Sequence, residues 1–208
     1  MMLFLLCSLF LLSGCGSQKK ESDLDDFQNI KKSFLFSVLQ EDSNESPFYL
    51  NYALRTVFFS KDIVSFFGEI SACEHPSRAW SRYEGKTFCK VGQKFKEVKL
   101  WDLFKTANQK EFLRQYCEND LRSRSISYFS GEEPLRKRLD LEDIHTFIID
   151  DKCLIILFQP YVAGGLVDGS LHVKIPYEDL GDRWDVLSPL ALLLPEAIFS
   201  KSYIASWE

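Results

Sequence analysis

The sequence predicts an α+β fold, with an antiparallel sheet packed against one main helix. Runs of aromatic and β-branched residues alternate with short polar breaks, which is the pattern of neighbouring antiparallel strands. One segment after Thr106 instead carries apolar residues at helical spacing and interrupts the strands. With 208 residues, 46% of them hydrophobic, the chain holds enough apolar material for one domain-sized core.

The strands are predicted from these runs in chain order. They cover residues 48–59, 63–72, 87–91, 95–100, 145–149, 153–158 and 170–175, while residues 34–39 fit a strand or a short helix. The segment between residues 72 and 87 contains Pro76 and Gly85 and is predicted to be a long loop. Residues 153–158 are apolar on both faces, which predicts a central strand that is covered on both sides.

The main helix is predicted to begin at a capping box. Thr106 and Gln109 have the spacing at which a hydroxyl and a side-chain amide satisfy the free N–H groups of a first turn. The apolar residues that follow fall on one face, and they are Phe112, Leu113, Tyr116, Cys117 and Leu121. This face is expected to enter the core.

The amino terminus has the features of an export signal. Residues 3–12 are apolar but too few to span a bilayer, which takes about 20 residues. The run ends at Leu-Ser-Gly-Cys15, which resembles the lipobox of bacterial lipoproteins. We therefore expect residues 1–14 to be a signal peptide, residues 15–30 to comprise the lipidated Cys15 and a flexible tether, and residues 31–208 to form a single α+β domain.

A lipid on Cys15 implies a membrane as the first partner and the cell envelope as the location. Acyl chains anchor firmly when two or more are attached, since each buried methylene contributes roughly 0.8 kcal/mol. The anchoring membrane is either the outer membrane or the inner membrane at its periplasmic face, and the sequence does not distinguish between them. A net charge of −5 and a pI of about 5.4 argue against a nucleic-acid partner, which requires a clustered cationic face.

Four cysteines remain after the lipidated one. An even number in an exported chain suggests disulfides, and Cys73 with Cys89 is the preferred pair because both flank the predicted loop. Cys117 and Cys153 fit either a bridge or buried thiols. Cys73, Glu74 and His75 are adjacent, but no second set of ligands follows at zinc-like spacing, so no metal is expected.

The sequence offers no recognised catalytic motif and implies no cofactor. It lacks G-x-S-x-G, a phosphate-binding P-loop and H-E-x-x-H, and His145 and His172 lie in predicted strands. The segment around His75 is the candidate ligand-binding surface. Its members are Glu74, His75, Trp80 and Tyr83, a composition suited to recognition.

Four short segments resemble a known family by their order and spacing. They are Ser-Ala-Cys-Glu-His-Pro at 71–76, Leu-Trp-Asp-Leu-Phe at 100–104, Phe-Gln-Pro-Tyr at 158–161 and Ile-Pro-Tyr-Glu-Asp-Leu at 175–180. The chain is similar in this to the extracytoplasmic domain of the lysozyme-sensing anti-sigma factor RsiV, also found in the deacetylase PdaC. The resemblance covers about residues 48–185, although the two glycines of the family's Gly-Gly-Ala-His loop are absent.

The resemblance implies a non-catalytic module that binds an extracytoplasmic protein such as lysozyme, or peptidoglycan. Two other interpretations stay open from the residues alone. One is an envelope hydrolase acting on peptidoglycan through His75 and Glu74, and the other is an envelope scaffold without a small ligand.

Overall fold

The computed structural model describes residues 27–33, 49–75, 78–131, 133–181 and 183, and the structural statements below concern these residues. They form two antiparallel meanders, sheet A with strand order β1-β2-β3-β4 and sheet B with order β5-β6-β7. The strands are β1 (Tyr49–Phe59), β2 (Ile63–His75), β3 (Arg78–Val91), β4 (Lys94–Val98), β5 (Thr146–Ile149), β6 (Cys153–Leu157) and β7 (His172–Pro176). The helices are α1 (27–33), α2 (Leu100–Leu103), α3 (Ala107–Ser123) and α4 (Tyr177–Leu180).

The predicted α+β class is confirmed, but the single predicted sheet is in fact two. Sheet B has one face in the main core beside α3, to which Leu154 and Ile156 belong. Its other face, with Ile155 and Leu157, packs against Phe67 and Val57 of sheet A. The central strand of sheet B is therefore covered on both sides, as its apolar sequence predicts.

The long loop predicted between residues 72 and 87 is wrong, because β3 runs unbroken from Arg78 to Val91. The prediction used Gly85 as an indication of a loop, but Gly85 lies in β3 and pairs with Phe67 of β2. A glycine inside a strand often marks a place where another backbone approaches closely. Gly85 marks such a place, because the main chain of Phe147 passes close beside it.

Helix α3 begins as predicted. The Thr106 hydroxyl accepts a hydrogen bond from the Gln109 N–H at 3.2 Å, and the Gln109 side chain accepts one from the Thr106 N–H at 2.9 Å. Leu113, Cys117 and Leu121 are completely buried in the main core. The capping box and the apolar face are thus both confirmed.

A short helix, α1, spans the predicted domain boundary at residue 31. Residues 27–33 are helical. The centroid of the Phe27 ring lies 4.9 Å from the centroid of the Phe59 ring and 5.7 Å from that of the Phe66 ring. Phe27 and Ile30 pack against an outer cluster of buried apolar residues on sheet A, formed by Val64, Phe66 and Ile70. Residues 27–30, which the sequence prediction assigns to the tether, thus belong to this helix, and burial of their apolar side chains favours it.

Strand β5 of sheet B lies against β3 of sheet A, and main-chain contacts join them there. The Phe147 carbonyl lies so close to Gly85 that an added Cβ there would stand 2.5 Å from its oxygen. Beside it the buried hydroxyls of Ser65 and Thr87 are 2.9 Å apart, and the Ile149 N–H donates to the Ser65 hydroxyl at 3.1 Å. We refer to these contacts as the sheet joint. It sets the angle and distance between the sheets.

The considered Cys73–Cys89 disulfide is not formed. Cys89 is a buried free thiol, and burial raises its pKa to about 12. Cys73 pairs with Ala79 at the turn end of the β2–β3 hairpin, whereas Cys89 pairs with Ile63 at the opposite end. Ten residues of strand, about 33 Å, separate the two positions, and a disulfide needs Cα atoms within about 7 Å. Cys117 and Cys153 are also free thiols.

Several predictions fall on residues that the structure does not describe. The signal peptide, Cys15, most of the tether and residues 34–39 lie outside the described residues. Among the described helices, none has the length and apolar character needed to cross a membrane.

Substituting Gly85 tests the sheet joint. Gly85→Ala places a Cβ against the Phe147 main chain, which cannot rotate away, so we expect a loss of about 2–3 kcal/mol in the free energy of unfolding. Gly68→Ala is the matched control in the neighbouring strand, because its Cβ would meet the end of the Tyr52 side chain, which can move. Urea unfolding of both variants measures the difference, and equal losses would contradict the joint.

Candidate functional site

A cleft of about 270 Å³ lies between β3 and the segment of chain that connects β6 to β7. We call it the β3 cleft. Its described lining consists of Trp80, Ser81, Tyr83, Pro160, Tyr161, Gly165, Gly169 and Ser170. One wall therefore comes from sheet A and the other from the chain between the last two strands of sheet B. The cleft exists only when the two sheets are joined.

Tyr83 anchors the sheet A wall. Its hydroxyl lies 2.5 Å from the Ser170 hydroxyl, and its ring stacks on Phe67 with centroids 6.0 Å apart. Its N–H donates to the Gln159 side-chain oxygen at 2.9 Å, and its carbonyl accepts from the Gln159 amide nitrogen at 2.6 Å. Gln159 thus binds the β3 main chain as a neighbouring strand would. These bonds fix the start of the opposite wall.

Tyr161 projects from that opposite wall with an unusual backbone. Its φ is +65°, a left-handed conformation that few residues other than glycine adopt, and its side chain is 56% exposed. The turn is closed by the Val162 N–H, which donates to the Gln159 carbonyl at 3.1 Å. Such strain costs of order 1–3 kcal/mol and persists only where the surroundings enforce it. The Tyr161 ring is therefore held at an exposed position of the cleft lining.

Asp168 ties the glycine-rich part of the cleft to the loop after α3. Its carboxylate accepts hydrogen bonds from the Gly165 N–H at 2.7 Å, from the Ser127 N–H at 3.2 Å and from the Ser127 hydroxyl. These bonds, the Ser127 hydroxyl first, lower the pKa of Asp168 below its usual range. Gly164 packs closely beside them, since a Cβ there would lie 2.6 Å from Leu171. The loop is therefore well defined.

The structure brings only part of the predicted site together. Trp80 and Tyr83 both line the cleft, but they lie three residues apart on one strand and so belong to opposite faces of the sheet. Trp80 packs against the outer cluster of Val64, Phe66 and Ile70 and borders the cleft at its rim. Glu74 and His75 belong to the end of β2, and their side chains lie outside the described part of the chain.

Sequence reasoning missed the wall opposite β3. In the sequence, Pro160 and Tyr161 stand out only as part of the segment 158–161 that carries the family resemblance, and Gly165 and Gly169 belong to none of the predicted strands. Gln159 and Ser170 gave no signal at all, because their partner Tyr83 is more than 70 residues away in the chain. Within the described residues, no three side chains of histidine, cysteine, aspartate or glutamate gather as a metal site would require.

The fold and part of the sequence match known proteins. Residues 101–178 match the model of DUF3298, a protein family of unknown function. A crystal structure of a DUF3298 family member from Bacteroides fragilis superposes with a TM-score of 0.52 at 14% identity, covering 87% of this chain and 73% of that one. No curated protein sequence matches the chain significantly.

These comparisons show the fold and carry no activity. The matched residues 101–178 include α3, sheet B and the whole wall of the cleft that carries Tyr161. The β3 wall, with Tyr83, lies before the matched segment. At 14% identity the structural likeness concerns the arrangement of the main chain alone.

Asp168→Asn tests the hydrogen bonds of the glycine-rich loop. The folded pKa of Asp168 lies below the unfolded value of about 3.9, so its stabilisation is complete above that value and lost as the pH falls through the folded pKa. We expect the variant to be less stable by roughly 1–2 kcal/mol at pH 7 and to approach the wild type as the pH falls through the lowered pKa of Asp168. Urea unfolding across this range measures it. Asp151→Asn, in an exposed turn, is the control, and a pH-independent difference would contradict the assignment.

Proposed function

We propose that this protein is a lipid-anchored envelope protein whose α+β domain is a non-catalytic binding module, with the β3 cleft as its ligand site. The single observation that carries the binding role is Tyr161, an exposed aromatic ring held in a strained conformation at the mouth of a cleft. Strain of this kind clusters at ligand-contacting positions.

The chemistry of the cleft favours binding over catalysis. Its described lining provides aromatic rings, hydroxyls, a proline and glycines, while a general base would be a carboxylate or an imidazole. The Tyr83 and Ser170 hydroxyls are hydrogen-bonded to each other rather than to a base that would activate them. His145 and His172 lie outside this lining and are exposed.

The anchoring part of the proposal rests on the amino-terminal sequence. An apolar run of ten residues followed by Leu-Ser-Gly-Cys15 supports export and acylation, and the polar residues 16–26 suit a spacer. A spacer of this length would keep the domain close to the bilayer. The ligand would then be an extracytoplasmic protein or the cell wall, with lysozyme-type muramidases as the precedent that the RsiV resemblance supplies.

Cys15→Ala tests the anchor. Without the thiol no diacylglycerol can be attached, so we expect the variant to leave the membrane fraction and to take up no radiolabelled palmitate. Cys7→Ala, within the apolar run, is the matched control and should stay membrane-bound and labelled. Membrane retention of the Cys15 variant would contradict the anchor.

A binding assay tests the module itself. We expect the full chain, purified in detergent, to co-sediment with purified peptidoglycan or to be retained on immobilised lysozyme, because the cleft offers an exposed aromatic contact surface. The released products should show no cleavage of the glycan or the peptide. Absence of both interactions would favour the scaffold interpretation, and glycan or peptide cleavage would favour the hydrolase.

A further inference from the structure

We infer that the β3 cleft binds a single neutral sugar ring, stacked on the face of Tyr161, with its hydroxyls hydrogen-bonded to the Tyr83–Ser170 pair. This inference rests on the proposed binding function and names its ligand class. Three properties of the cleft carry it, namely the absence of charge in its described lining, its size, and the combination of an exposed ring with a hydroxyl pair.

The described lining of the cleft is electrically neutral. None of its eight residues carries a charged side chain. Asp168, in the loop between the lining residues Gly165 and Gly169, is already committed to three hydrogen bonds with Ser127 and Gly165. A site for a phosphate, a carboxylate or an ammonium group would provide an opposite charge or a convergent set of free donors. The lining therefore favours a ligand without net charge.

The size of the cleft fits one ring rather than an extended ligand. Its volume of about 270 Å³ is just below the range of about 300–1,000 Å³ that holds drug-sized molecules. A hexopyranose unit of a longer glycan can enter while its neighbours remain outside. A folded protein would instead need contacts well beyond the cleft.

Tyr161 and the hydroxyl pair match the two sides of a sugar. A pyranose ring has an apolar C–H face, which packs on an aromatic face, and a rim of hydroxyls, which both donate and accept hydrogen bonds. The Tyr161 ring is 56% exposed. One of the Tyr83 and Ser170 hydroxyls donates to the other, with the oxygens 2.5 Å apart, which leaves lone pairs and a second proton for a ligand. Ser170 is itself exposed.

The backbone of Tyr161 provides a clean variant for the test. Glycine adopts φ near +65° without a steric cost, so Tyr161→Gly removes the ring and relieves the strain at once. Tyr161→Phe keeps the ring face and removes only the hydroxyl. Leu135→Ala removes a similarly exposed apolar side chain, 78% exposed, away from the cleft lining.

The experiment is calorimetric titration of the full chain, in detergent, with tetramers of N-acetylglucosamine and of glucose. We expect at least one tetramer to bind, Tyr161→Gly to weaken the binding by about tenfold or more, and Tyr161→Phe and Leu135→Ala to stay within about threefold of the wild type. The thermal midpoint of Tyr161→Gly should equal or exceed that of the wild type, which separates loss of the ring from loss of the fold.

The contradicting outcomes separate the two proposals. If neither tetramer binds while peptidoglycan or lysozyme is still retained, the sugar inference is overturned and the binding module stands. If lysozyme retention depends on Tyr161 and sugar binding does not, the cleft is a contact surface for protein, and the sugar inference is also overturned. Sugar binding unchanged in Tyr161→Gly would place the sugar elsewhere. Loss of every interaction in the wild type would overturn the proposed function itself.

Discussion

The carbonyl of Phe147 rests against a strand residue that has no side chain, and the rest of the structure depends on this contact. Gly85 lets the main chain of β5 approach β3 closely enough for the Ile149 N–H to reach the Ser65 hydroxyl. Any larger residue would force the sheets apart, because the obstructing atom belongs to the main chain. A buried N–H left without a partner costs about 1–3 kcal/mol. Close approach and hydrogen bonding therefore stabilise the same geometry.

The cleft is a consequence of this joint. Tyr83, two residues before Gly85, binds Gln159 at the end of sheet B through two hydrogen bonds between the Tyr83 main chain and the Gln159 side chain. Gln159 in turn begins the turn that holds Tyr161 in its left-handed conformation. A continuous set of contacts therefore connects the sheet joint to the exposed ring of Tyr161. This continuity explains how the surrounding structure maintains a strained and exposed residue.

Features written in local sequence were predictable, and features that depend on distant partners were not. The capping box at Thr106 needs only residues three apart, and the central strand after Cys153 is evident from its uniform apolar character. The prediction at Gly85 was wrong because a glycine is needed there to let the Phe147 main chain approach, and Phe147 lies more than 60 residues away in the sequence. The Cys73–Cys89 pairing failed for the same reason, since an unbroken β3 puts the two cysteines at opposite ends of a hairpin. Of the cleft lining, the sequence analysis singles out Trp80 and Tyr83 as candidates, whereas Tyr161 is not among its candidate residues.

Hydrogen exchange at two amides tests the joint most directly. The N–H groups of Tyr83 and Ile149 donate across the sheets, to Gln159 and Ser65, rather than along their own ladders. If the joint is essential to the fold, both amides exchange only through global unfolding, with the same opening free energy as the amide of Ile156 in the centre of sheet B. Markedly faster exchange at Tyr83 and Ile149 than at Ile156 would mean that the sheets separate while each remains folded. That result would contradict the central role of the joint.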